Sequence, residues 1–195
     1  MKTKIETILP HHTLKISNTN NIYIVDFKNI NGGDVELLES EPDEIKYVHL
    51  ENIQPIPIIF DGFTDNALPV SVGLFNKQCE CIIFPASCED KDWILFIETK
   101  YVNSLENAFR ENNDYPNCMI TQIIETVKYF REKEIIENNR RVNAIVSFPP
   151  LIEEFNSTFF TGTQSVDEIL SEHNILVRAT NSAIIKSEKR ITLVV

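Results

Sequence analysis

The sequence predicts a mixed α/β fold, a sheet with helices packed on it, and three observations predict it. Residues 69–102 hold three short apolar runs separated by polar turns, the pattern of an antiparallel meander. A long stretch after them repeats its apolar residues at helical spacing, which marks an amphipathic helix. A further β-branched run follows that stretch, so the helix crosses over to another strand of the same sheet.

The elements follow in chain order. Residues 1–65 are read as an N-terminal extension that packs on or extends the core, and residues 66–195 as the α/β core itself. Ile22–Phe27 (IYIVDF) is rich in β-branched and aromatic residues and predicts a strand. Asn31, Gly32 and Gly33 make a turn. The acidic segment Asp34–Glu51 fits helix or strand, and Pro55 and Pro57 break whatever precedes them. Val70–Phe75 predicts the first strand of the meander. Cys79–Phe84 (CECIIF) predicts the second, stopped by Pro85. Trp93–Val102 (WILFIETKYV) predicts the third, apolar on both faces as a covered central strand is.

Pro116 suits the first turn of the long helix. Met119, Ile120, Ile123, Ile124, Val127 and Phe130 form its stripe, and it runs to about Glu134. Arg141–Phe148 predicts a fourth strand, ended by Pro149 and Pro150. Ser165 with Glu168 three residues on is a capping box for a short helix over 166–172. Strands are predicted over Ile175–Ala179 and Ile191–Val195, with another over Ala183–Lys186.

A chain of 195 residues that is 43% hydrophobic buries one sizeable core. Its net charge of −11 weighs against strong, autonomous gripping of nucleic-acid phosphates. A local basic groove or an acidic metal site remains compatible with that charge. The four cysteines form no CxxC pair, and Cys79 and Cys81 are expected on one side of a strand as buried, reduced thiols. His11 and His12 sit in an arm expected to be flexible and without a metal role. The first residues lack the apolar core of a signal peptide, and no stretch approaches the roughly 18 apolar residues of a membrane span. The chain is therefore read as cytoplasmic.

Two strands hold the unusual residues. Ile94, Phe96, Glu98 and Lys100 share one strand face, so an apolar face ends in an acid and a base. Glu80 shares a face with Ile82 and Phe84. A hairpin register that sets Phe84 opposite Ile94 sets Glu80 opposite Glu98. Cross-strand Cβ atoms lie roughly 4.5–5.5 Å apart, so the two carboxylates need something to offset their repulsion. A divalent cation bridging them is the economical answer, and magnesium accepts a few carboxylates together with water and phosphate oxygens. Lys100 beside Glu98 is placed to assist water and to stabilise developing negative charge. A plain ion pair at a strand end accounts for Glu98 and Lys100 equally simply.

An acid on one strand of a hairpin, followed by Glu-x-Lys on the next central strand, resembles the active-site signature of the PD-(D/E)xK nuclease superfamily. Gln122 and Tyr129, in TQIIETVKYF, match the Gln and Tyr that many members carry in the following helix. The likeness covers about Val70–Phe148. It implies a restriction-endonuclease-like mixed β-sheet flanked by helices, a β-β-β-α-β core here carrying a β-containing N-terminal extension. It also implies metal-dependent cleavage of phosphodiester bonds, with Mg2+ or Mn2+ held by Glu80 and Glu98, and with Lys100 and Gln122 completing the catalytic set. Two departures stand out. Glu80 replaces the usual Asp and follows no Pro-Asp dipeptide, and the acidic residue of the family's first helix has only Glu39, Glu44 and Glu51 as stand-ins. The implied partner is nucleic acid, bound weakly by so acidic a chain unless a protein partner or second copy contributes. A non-catalytic binding or assembly module on the same fold is the alternative. An acidic mimic of nucleic-acid charge ranks after it.

Overall fold

A computed structural model describes residues 1–151 and 155–194. The chain opens with helix α1 (Lys2–Ile8), then strands β1 (Leu14–Ser17) and β2 (Asn21–Asp26). A single turn, α2 (Lys28–Asn31), follows and is ended by Gly32 at φ 76°, a left-handed position that glycine adopts without strain. Next come β3 (Val35–Leu38), β4 (Val48–Asn52), β5 (Ile58–Gly62), and the small pair β6 (Pro69–Ser71) and β7 (Leu74–Phe75). Strands β8 (Cys81–Pro85) and β9 (Leu95–Thr99) lead through α3 (Leu105–Ala108) into the long α4 (Tyr115–Glu132) and β10 (Val142–Ser147). The chain finishes with α5 (Asn156–Phe159), α6 (Val166–His173), β11 (Ile175–Ala179), β12 (Ser182–Ser187) and β13 (Arg190–Leu193).

Six strands form a central sheet in the order β1-β5-β8-β9-β10-β11. It is antiparallel from β1 to β9 and parallel across β9, β10 and β11. Five strands form a second sheet, β13-β12-β4-β2-β3. The two sheets pack face to face: Phe60, Ile83 and Ile97 of the first bury against Ile24, Leu50 and Ile185 of the second. On the other face of the central sheet, Ile82, Phe84 and Phe96 pack with Ile5 of α1, Phe130 of α4 and Ile169 of α6. The mixed α/β class is as the sequence predicts. Helices cover one face only, however, and a second sheet covers the other. This explains why β9 is apolar on both sides: Leu95 and Ile97 face the second sheet while Ile94 and Phe96 face the helices.

The stripe of α4 is buried as its spacing requires, from Met119 to Phe130. Ser165 accepts from the Glu168 N–H while the Glu168 side chain accepts from the Ser165 N–H, so α6 starts with the expected capping box. Val195, at the end of the last predicted strand, lies outside the described residues.

One region differs from the sequence reading, and the structure fills in two others that it left open. Val70–Phe75 is not the first strand of the meander: β6 and β7 pair with each other alone, and Val70, Val72, Leu74 and Phe75 are exposed. The first strand is β5, which begins directly after Pro57, where the missing proline N–H costs no ladder bond. The acidic segment 34–51 resolves into β3 and the start of β4. Residues 1–65 supply β1 and β5 to the central sheet and β2, β3 and β4 to the second, which residues 66–195 complete with β12 and β13. The two segments therefore share both sheets. Among the described residues no helix is long and apolar enough to cross a membrane.

Candidate functional site

The site begins with the register of β8 and β9. Cys81 pairs with Ile97, Ile82 with Phe96 and Ile83 with Leu95, the register read from the sequence. One step further, Glu80 comes level with Glu98, and the Glu80 N–H donates to the Ile97 carbonyl at 3.0 Å. The Lys100 N–H donates to the Ser147 carbonyl at 2.9 Å, holding the chain beyond β9 against β10. Cys79 and Cys81 do not share a side. Cys79 packs in the helix-facing core, its N–H donating to Thr126 Oγ1 at 2.8 Å, and Cys81 faces the second sheet. Alternation fails there because β8 starts only at Cys81.

The two carboxylates are shared between two ammonium groups. Lys100 Nζ lies 2.5 Å from Glu98 Oε1 and 3.9 Å from Glu80 Oε1. Lys28 Nζ, from α2, lies 2.8 Å from Glu80 Oε2 and 3.7 Å from Asp65 Oδ1. The Lys28 N–H donates to Asp26 Oδ1 at 2.9 Å, which fixes the turn after β2. Tyr101 donates from its hydroxyl to the Lys46 carbonyl and accepts from the Asp26 N–H, tying this corner of the second sheet to the chain after β9. Burial pushes the Tyr101 phenol up to about 12.

Burial dominates the electrostatics. Glu98 is fully buried, and its Oε2 has no hydrogen-bond partner. Desolvation pushes its carboxyl up to about 8; Lys100 opposes that and the charge of Glu80 adds to it. Glu80 is also raised by burial, with Lys28 opposing and Asp26 adding. Burial is the largest influence on both lysines and works against their charge, but Glu98, Glu80 and Asp26 together outweigh it at Lys100 and Glu80, Asp26 and Asp65 together outweigh it at Lys28, so both ammonium groups are held above their ordinary value.

Glu80, Lys100, Lys28, Asp26, Asp65 and Gln122 line a cleft of about 620 Å³. Glu98 sits behind Lys100 and is not part of that wall. The structure thus brings Glu80, Glu98, Lys100 and Gln122 to one corner. Gln122 acts there as a prop: its Nε2 donates to the Gln78 carbonyl at 2.8 Å, in the loop before β8. Tyr129 is buried and donates to the Pro69 carbonyl at 2.9 Å, a packing role. Glu39, Glu44 and Glu51 are exposed and lie outside the cleft wall. The nearby acids are Asp26 and Asp65. Asp26 follows the apolar run Ile22–Val25, a signal like that of Glu98 on β9, and its neighbour Lys28 meets Glu80 across 52 positions of sequence.

A second acid–base pair joins the segment after α1 to β5. His12 is not in a loose arm: its side chain is 2% exposed and that of Asp61 is 0% exposed. His12 Nδ1 contacts both Asp61 oxygens, at 2.8 and 3.0 Å, and Nε2 contacts the Ala67 carbonyl at 3.0 Å.

No family model, curated protein or solved structure matches this chain. No group of three or more His, Cys, Asp or Glu among the described residues is arranged to hold a metal ion.

Proposed function

We propose that this protein is a metal-dependent phosphodiesterase of the PD-(D/E)xK nuclease type, acting on DNA or RNA. One observation carries the reading: Glu98 Oε2, buried on a central strand, lacks any hydrogen-bond partner. An orphaned buried oxygen is costly, and native structures retain such a group where something else completes it. A divalent cation shared with Glu80 would complete it, and two carboxylates suffice for magnesium, which keeps its remaining positions for water and phosphate.

The strand order supports the same reading. Strands β5, β8 and β9 form the meander, and α4 crosses over to β10, parallel to β9. That order resembles the β-β-β-α-β core of the restriction-endonuclease-like fold and supports the reading to that extent.

In this reading Glu80 and Glu98 hold the cation, which when bound supplies Lewis acidity toward the phosphodiester. Lys100 orients Glu98 and presents positive charge to the reacting phosphate from the cleft wall. Gln122 fixes the loop that carries Gln78 and so sets where Glu80 begins. With a net charge of −11, the chain relies on a partner or a second copy to engage a long nucleic acid.

The test is cleavage of mixed DNA and RNA substrates with Mg2+ or Mn2+. Cation-dependent cleavage that falls by about 100-fold or more in Lys100→Ala is the expected result. A folded, metal-supplemented protein that cuts neither polymer would end the catalytic claim. One observation favours a non-catalytic assembly module instead: Lys28 and Lys100 already pair with both carboxylates, so the corner holds together without a cation.

A further inference from the structure

We propose that Lys28 is a working member of this site, its ammonium holding on Glu80 the position that a divalent cation takes, so that Lys28 sets how tightly the site binds metal. The inference rests on the metal-dependent reading above. It makes Lys28 a positioning residue rather than a catalytic one.

The geometry points there in three ways. The two lysines divide the carboxylates between them: Lys100 takes Glu98 Oε1 at 2.5 Å, and Lys28 takes Glu80 Oε2 at 2.8 Å. Two oxygens are left without a hydrogen bond: Glu98 Oε2, fully buried within the same cluster, and Glu80 Oε1, 3.9 Å from the Lys100 ammonium. A cation that reaches Glu98 Oε2 while sharing Glu80 meets the Lys28 ammonium at close range. Like charges a few ångströms apart in a half-buried site repel strongly.

Lys28 is also built to yield. Its backbone is pinned by the Asp26 carboxylate, while its ammonium ends a long flexible stem and its side chain is 25% exposed. Asp65 lies 3.7 Å from the same Nζ, and its side chain is 87% exposed. The ammonium therefore has a second carboxylate to move to without leaving the cleft. A divalent ion arriving at Glu80 displaces Lys28 toward Asp65, and the displacement subtracts from the affinity.

Calorimetric titration of the full chain with Mn2+ at pH 8 tests this. Lys28→Met removes the competing charge and is expected to bind Mn2+ about tenfold or more tightly than the wild type. Lys28→Gln, which keeps a polar head but no charge, is expected to match it. Lys28→Arg, which keeps the charge, is expected to stay within about twofold of the wild type. Equal or weaker binding in both uncharged variants, with a wild type that binds, overturns the role of Lys28 and leaves the metal site standing. No Mn2+ binding in the wild type or in either uncharged variant overturns the metal reading itself.

Discussion

The pair on β5 and the cluster at the ends of β8 and β9 solve one problem in opposite ways. Both place charge at the central sheet. At Asp61 the solution is closed. Both carboxylate oxygens meet His12 Nδ1, and the far ring nitrogen meets the Ala67 carbonyl. Two ring nitrogens that each face an acceptor need two protons between them and Asp61, so the pair shares one proton more than a neutral histidine alone supplies. Burial opposes the charge of His12, but Asp61 outweighs it and the imidazole is held above its ordinary value. At Glu98 the solution is open: one oxygen has a lysine and the other has nothing. The closed pair anchors the segment after α1 to β5. The open cluster keeps an unpartnered oxygen beside a cleft, and the proposed function rests on that incompleteness.

His12→Ala leaves Asp61 buried without its partner and is expected to cost about 3–5 kcal/mol in urea unfolding. A cost under about 1 kcal/mol would mean that Asp61 is satisfied in some other way.

The open cluster responds to pH through Glu98. Its folded-state carboxyl titrates at about 8, above its ordinary 4.5. Between those values the folded protein holds a proton that the unfolded chain has released, so stability falls as pH rises from about 4.5 to about 8 and levels off above. Glu98→Gln lacks that decline. Its Tm relative to wild type is expected to rise between pH 5 and pH 9, and parallel Tm curves would contradict the burial argument.

Smaller effects belong to the hairpin beside the cleft. Tyr129→Phe removes the hydroxyl that holds the Pro69 carbonyl and is expected to cost about 1 kcal/mol. Val72→Ser, at the exposed tip, is expected to change stability by less than about 0.5 kcal/mol. A large loss there would show that the tip is covered in solution.

The legible parts of the sequence were those in which one pattern excluded its rivals. The register of β8 on β9 was readable because both strands are buried, and a slip of one residue would have turned Glu80 and Glu98 into opposite cores. The stripe of α4 and the cap of α6 were readable because each is local. Val70–Phe75 misled because β-branched alternation reports strand propensity and not what the strand packs on. Strand β5 was hidden behind Pro57, which marks its start. His12 and Lys28 were beyond local reading: their partners lie 49 and 52 residues away, and only the fold brings them together.

In the proposed function Glu98 keeps its free oxygen for a cation. Isothermal titration of the wild type and of Glu98→Gln with Mn2+ at pH 8 tests it directly. Saturable binding by the wild type that disappears in Glu98→Gln, while the variant stays folded, is the expected result. Identical titrations of the two proteins, or a folded wild type that binds no Mn2+ at millimolar concentration, would contradict it.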